Sequence, residues 1–191
     1  MGPRGSDTRE TSSFCRRSLF CGQASLANAG PQGRARARVV LAGVCHTCEL
    51  NAQVDDLPLR ERLYINDDWR VAHGWSSLPG WLVVALRRHA EALHELTAGE
   101  AASLGPILRA ASVALKRAVG CERTYVILFA EHPRYPHVHL HVVPRMDWFT
   151  EDDKSTSVFR FLNAPEQDQV SASDRERLAA EIRQTIHTLL R

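Results

Sequence analysis

Polar and apolar positions alternate strictly along His137-Val138-His139-Leu140-His141-Val142, and the run closes at Val143-Pro144-Arg145. A period of two is the mark of a half-buried strand. Shorter apolar runs predict strands at 63–65 and 69–72, joined by a turn at Asn66-Asp67-Asp68. Further strands are predicted at 81–86, after a turn at Pro79-Gly80, and at 123–129. Thr97-Ala98-Gly99-Glu100 has capping-box spacing. Behind it Ala101, Leu104, Leu108, Ala111, Leu115 and Ala118 form a helical stripe that ends at Gly120, and Pro106 is expected to kink the helix. Residues 158–162 are a short apolar piece. Ser173-Asp174-Arg175-Glu176 is expected to cap a last helix that buries Leu178, Ile182, Ile186 and Leu189. Strands paired in sequence with helices inserted predict an α+β fold, an antiparallel sheet with two main helices.

Residues 1–38 break this pattern. They are rich in Gly, Ser, Ala and Arg and lack periodicity, which predicts a disordered tail ahead of one folded domain over 39–191. The Arg-rich, acid-poor character is that of a transit peptide, but Asp7 and Glu10 interrupt it and no amphipathic helix is evident. At 191 residues, 44% hydrophobic and 24% charged, the chain is an ordinary globular protein. A net charge of +2 gives no reason to expect nucleic acid or an anionic membrane as the main partner. Five cysteines without a convincing signal peptide point to a reducing, cytoplasmic setting.

The alternating strand also carries the candidate chemistry. Residues i, i+2 and i+4 share a face, so His137, His139 and His141 are expected about 7 Å apart in one row. Val138, Leu140 and Val142 then face a core. Imidazole is readily poised near neutral pH as nucleophile, acid or ligand. The plain alternative, an exposed histidine-rich edge strand, fits poorly with the apolar flanks. Cys45-His46-Thr47-Cys48 is a Cys-x2-Cys pair that needs two further ligands for a closed tetrahedral zinc site; a pair of reduced cysteines is the other reading.

His137-Val138-His139-Leu140-His141-Val142-Val143 is similar to the signature of the histidine triad superfamily. Tyr64-Ile65-Asn66-Asp67-Asp68, Pro79-Gly80-Trp81-Leu82-Val83-Val84 and Arg87-Arg88-His89 resemble its other landmarks in order, from Cys45 to about Arg145. The resemblance implies a nucleotide hydrolase or nucleotidyltransferase acting at the α-phosphate of a nucleoside phosphoramidate or dinucleoside polyphosphate. It implies His139 as the nucleophile that forms a covalent nucleotidyl-histidine, His141 as a phosphate-side partner, and a homodimer. In the zinc-bearing branches the ligands correspond here to Cys45, Cys48, His89 and His137, which implies a structural zinc ion. The alternative within the same fold is a nucleotide-binding sensor without turnover.

Three positions depart from the family pattern. Trp81 stands where histidine is common. His73 stands at the place of an acid that commonly holds the ribose hydroxyls. Glu131-His132-Pro133-Arg134-Tyr135-Pro136 replaces the usual loop of amide and glycine residues. Arg134 is the candidate for a charge-assisted phosphate contact in that rebuilt loop.

Overall fold

The computed structural model describes residues 45–191; the expected tail over 1–38 and the expected domain start at Val39 lie outside the described residues. Five strands form one antiparallel sheet: β1 (Tyr64–Ile65), β2 (Trp69–His73), β3 (Leu82–Leu86), β4 (Arg123–Ile127) and β5 (His139–Arg145). Their order is β1-β2-β3-β5-β4, so the histidine strand lies inside the sheet and β4 forms an edge. Around the sheet run α1 (His46–Ala52), α2 (Ala98–Val119) and α3 (Ala172–Leu189), with six short 3-10 turns. No described helix is long and apolar enough to cross a membrane.

One face of the sheet is covered by α2 and α3. Trp69, Val71, Leu82, Val84, Leu86, Leu140 and Val142 meet Ile107, Ala111, Ala114 and Leu115 of α2 and Leu178, Ile182 and Ile186 of α3. Apolar burial of this size is the main favourable contribution to the fold. The capping box at the start of α2 forms as its spacing predicts: Glu100 N–H donates to Thr97 Oγ1 and Thr97 N–H to Glu100 Oε2. Gly120 ends the helix with φ of 70°. Gly80 is also left-handed, and a Cβ there would stand 2.9 Å from Leu115, so the β2–β3 turn packs on α2 only as glycine.

Several sequence expectations shift by small steps. The helix α2 runs through Pro106 for 22 residues; Pro106 and Ala102, the residue whose carbonyl it leaves without a helical partner, are both exposed. Its buried stripe centres on Ile107, Ala110, Ala111, Ala114 and Leu115; Ala101 is exposed, and Leu104, Leu108 and Ala118 are half-buried. The cap of α3 is Ser171, whose Oγ accepts Asp174 N–H, rather than the expected Ser173. The histidine strand continues past Val143 through Pro144 to Arg145. Pro144 fits because β3 ends opposite Val142, so β5 beyond that point is paired on one side only.

The largest shift concerns the strand's start. It begins at His139, not His137: Val138 instead bonds through its N–H to the Ala90 carbonyl (2.7 Å) and through its carbonyl to Leu86 N–H (3.1 Å). His137 therefore leaves the expected row of three and is carried, fully buried, toward the turn that holds His89.

Candidate functional site

Two sites lie back to back around His137. On one side its ring joins Cys45, Cys48 and His89. One ligand atom from each of the four lies within 4.8 Å of all the others. Cys45 Sγ is 3.4 Å and Cys48 Sγ 3.5 Å from His137 Nδ1, and Cys48 Sγ is 3.3 Å from His89 Nδ1. The opposite nitrogens are occupied by acceptors: His137 Nε2–H donates to the Leu86 carbonyl (2.7 Å), and His89 Nε2 faces Glu91 Oε1 (3.4 Å). Each Nδ1 therefore presents a lone pair to the sulfurs, the arrangement that orients metal-ligating histidines. Burial first, and Cys45 next, push the Cys48 thiol up to about 11, so a thiolate here needs a cation beside it. A soft-ligand Cys2His2 set of this kind is compatible with zinc.

The short helix α1 brings the two cysteines to the sheet. Asn51 anchors it there, donating from Nδ2 to the Leu86 and Arg87 carbonyls (2.8 and 3.0 Å) and accepting from Arg70 Nε (2.8 Å).

On the other side of His137, the sheet face not covered by α2 and α3 opens as a cleft of about 310 Å³. Register places His139 opposite Ala85 and His141 opposite Val83, with Ala72 and Arg70 next on β2. These residues line the cleft together with His46, Thr47, Leu50, Glu61, His73, Trp75, Trp81 and Tyr135.

The rings of His139 and His141 lie 5.0 Å apart, but their protons sit differently. His139 Nδ1 is 2.7 Å from the His137 carbonyl, which can only accept, so Nδ1 carries the hydrogen and Nε2 is a bare lone pair. His141 Nδ1 accepts the indole N–H of Trp81 at 3.0 Å, which can only donate, so in the neutral ring Nε2 carries the hydrogen. Burial, then the neighbouring His139, hold His141 down to about 4. Burial also pushes His139 below the ordinary histidine range, with His132 adding to the effect and the His137 carbonyl opposing it. Near neutral pH the face thus offers one nucleophilic nitrogen beside one neutral N–H donor.

Of the residues singled out in the sequence, Cys45, Cys48, His89 and His137 converge on one point, and His139 and His141 converge on the cleft. Arg134 does not line it: the residue is exposed, with its guanidinium 5.9 Å from the Tyr135 ring. Its backbone carbonyl accepts His46 N–H (3.0 Å), which ties the rebuilt loop to α1. His73 is buried, with Nδ1–H on the Gly74 carbonyl (2.9 Å) and Nε2 facing Gly80 N–H (3.3 Å). Both of its nitrogens are engaged, so it offers no acceptor to a ligand. Glu61, Arg70 and Tyr135 in the lining escaped the sequence reading, since only tertiary contacts bring them there.

No protein-family model and no curated protein matches this sequence. The fold does have relatives among solved structures. A hypothetical histidine triad nucleotide-binding protein from Sulfolobus tokodaii, 18% identical, aligns with a TM-score of 0.58 over 77% of this chain and 95% of that one. A zinc-bound histidine triad family protein from Mycobacterium smegmatis, also 18% identical, gives 0.55 over 76% and 94%. A uridylyltransferase, 20% identical, gives 0.53 over 78% of this chain; the chain spans 47% of that enzyme's length. The chain has the fold of the histidine triad proteins, an antiparallel sheet with helices beside it.

Proposed function

We propose that the protein is a nucleotide hydrolase or nucleotidyltransferase that attacks the α-phosphate of a nucleoside phosphoramidate or dinucleoside polyphosphate. The observation that carries this reading is the opposed protonation of two neighbouring imidazoles. His139 Nε2 attacks phosphorus, a P–Nε2 bond forms, and the bond to the leaving group breaks. The Nδ1–H bond to the His137 carbonyl stabilises the positive charge that develops on the ring. His141 Nε2–H donates to a phosphoryl oxygen as its charge grows. Water or another acceptor then attacks the same phosphorus and releases His139. The bare Nε2 of His139, the His141 donor beside it and the adjoining cleft support these two roles.

Cys45, Cys48, His89 and His137 would hold a structural zinc ion. Because all four positions are filled by protein, its contribution is to folding and to the placement of the His137 carbonyl. A homodimer with sheets joined side by side agrees with the β4 edge, where Val126 is 47% exposed.

The test is turnover of purified protein on a panel of adenylyl and guanylyl phosphoramidates and dinucleoside polyphosphates. Release of nucleoside monophosphate that His139→Asn abolishes is the expected result. Binding without turnover across the whole panel would leave the sensor reading as the better one.

A further inference from the structure

Attack at phosphorus by His139 leaves the departing atom in need of a proton. That nitrogen or oxygen keeps the electron pair of its bond to phosphorus, and a basic leaving group departs readily only if it is protonated as the bond breaks. His139 carries its own hydrogen on Nδ1, bonded to the His137 carbonyl (2.7 Å). The N–H of His141 serves a phosphoryl oxygen. A further donor is therefore required beside the nucleophile.

Tyr135 stands there. Its ring is 6.3 Å from that of His139, tilted at 59°, and both residues line the cleft. The rebuilt loop holds the residue in place. Pro136 follows it and confines its backbone to extended conformations. Its N–H donates to the His132 carbonyl (2.7 Å), while the Arg134 carbonyl just before it accepts His46 N–H (3.0 Å). The rings of His132 and His46 pack against it at 5.2 and 5.5 Å. The hydroxyl, by contrast, makes no hydrogen bond among the described residues, and it is not one of the buried atoms left without a partner, so it is open to solvent. Other donors of the lining are occupied. His73 has both nitrogens engaged, Arg70 is bonded to Asn51 and Glu61, and His46 Nδ1 lies 3.2 Å from Glu49.

We infer that Tyr135 is the general acid that protonates the leaving group. As the P–Nε2 bond forms and the bond from phosphorus to the leaving atom breaks, that atom takes the proton of the Tyr135 hydroxyl and departs as a neutral amine or alcohol. The tyrosinate then accepts a proton from the water that attacks the nucleotidyl-histidine, which restores the phenol for the next cycle. This rests on the reading of the cleft as a nucleotidyl-transfer site.

The full chain and Tyr135→Phe are compared on two derivatives of AMP, and of GMP in parallel: the p-nitrophenyl ester and an N-alkyl phosphoramidate. Nitrophenolate leaves without a proton, whereas an alkylamine does not. The measured quantity is kcat/KM, which covers the steps up to the nucleotidyl-histidine. The variant is expected to lose roughly a hundredfold or more on the amidate. On the ester it should stay within about threefold of the wild type, because the acid has no part in that departure. A merely structural role for Tyr135 lowers both alike. Equal losses on the two substrates, or no loss on the amidate, would overturn the inference. No turnover of any of these compounds by the wild type would instead overturn the reading of the cleft as a transfer site. If the variant does not fold, the wild type decides on phenyl esters of falling leaving-group acidity. A general acid flattens the dependence of kcat/KM on that acidity, and a slope as steep as that of uncatalysed hydrolysis would count against Tyr135.

Discussion

The indole N–H of Trp81 donates to Nδ1 of His141 at 3.0 Å, and this bond decides which nitrogen of His141 carries its proton. Trp81 is fully buried and edge-on to both His141 and Phe159, so the donor is held in place by packing. Trp81, one of the three departures noted in the sequence, therefore supplies an N–H directed at the paired histidines.

Trp81→Phe keeps an aromatic ring and deletes that donor. His141 is then free to place its hydrogen on Nδ1, which turns a lone pair toward the phosphoryl oxygen. We expect kcat to fall roughly tenfold with KM little changed, since the interaction grows in the transition state. The smaller ring also costs about 1–2 kcal/mol of stability. Steady-state kinetics on the best substrate, with thermal unfolding alongside, separates the two effects. An unchanged kcat would show that the indole is only a packing residue.

His139→Asn should abolish turnover while nucleotide binding stays within a few fold, because the loss lies in the covalent step. Alkaline quenching during wild-type turnover, followed by peptide mass spectrometry, should find a nucleoside monophosphate on the peptide that carries His139. Acid would cleave a phosphoramidate and hide it. Wild-type rates in the variant would rule out this nucleophile.

The alternation over 137–143 located the histidine strand because period two leaves few other structures open to it, and the Cys-x2-Cys pair was equally plain. What periodicity could not reveal is that the backbone leaves the ladder at Val138. That exit depends on hydrogen bonds to Leu86 and Ala90, residues about fifty positions earlier in the chain. For the same reason α1 went unpredicted: its seven residues are held by Asn51 against β3 rather than by a strong apolar stripe. Glu61 and Arg70 reach the cleft through partners on other elements, and no local signal marks them.

One zinc ion per chain is expected in protein purified without added metal, measured by elemental analysis. Cys48→Ser should lose it and fall sharply in stability, because a structural ion adds its binding free energy to that of folding. His137→Ala should do the same and also cut turnover, since its burial fixes the carbonyl that orients His139. A stable, metal-free wild type would remove the zinc assignment.

Acid should destabilise the fold through His73 and His141. Burial holds both down to about 4, whereas an unfolded histidine titrates near 6.5. Between those values the unfolded chain binds more protons than the folded one, so stability rises with pH. The contribution is complete above about pH 6.5 and is lost as pH falls through about 4. Each histidine accounts for up to about 3 kcal/mol across that window. Thermal midpoints at intervals from pH 7.5 to 4.5 should fall steadily below 6.5. In His73→Gln, a variant that keeps polar atoms near the Gly74 carbonyl and Gly80 N–H, the fall should be shallower by the share of one histidine. Metal release at low pH lowers both proteins alike and cancels in the comparison. Parallel pH profiles for the two would mean that His73 is protonated in the fold, against its burial and the Gly80 N–H that its Nε2 accepts.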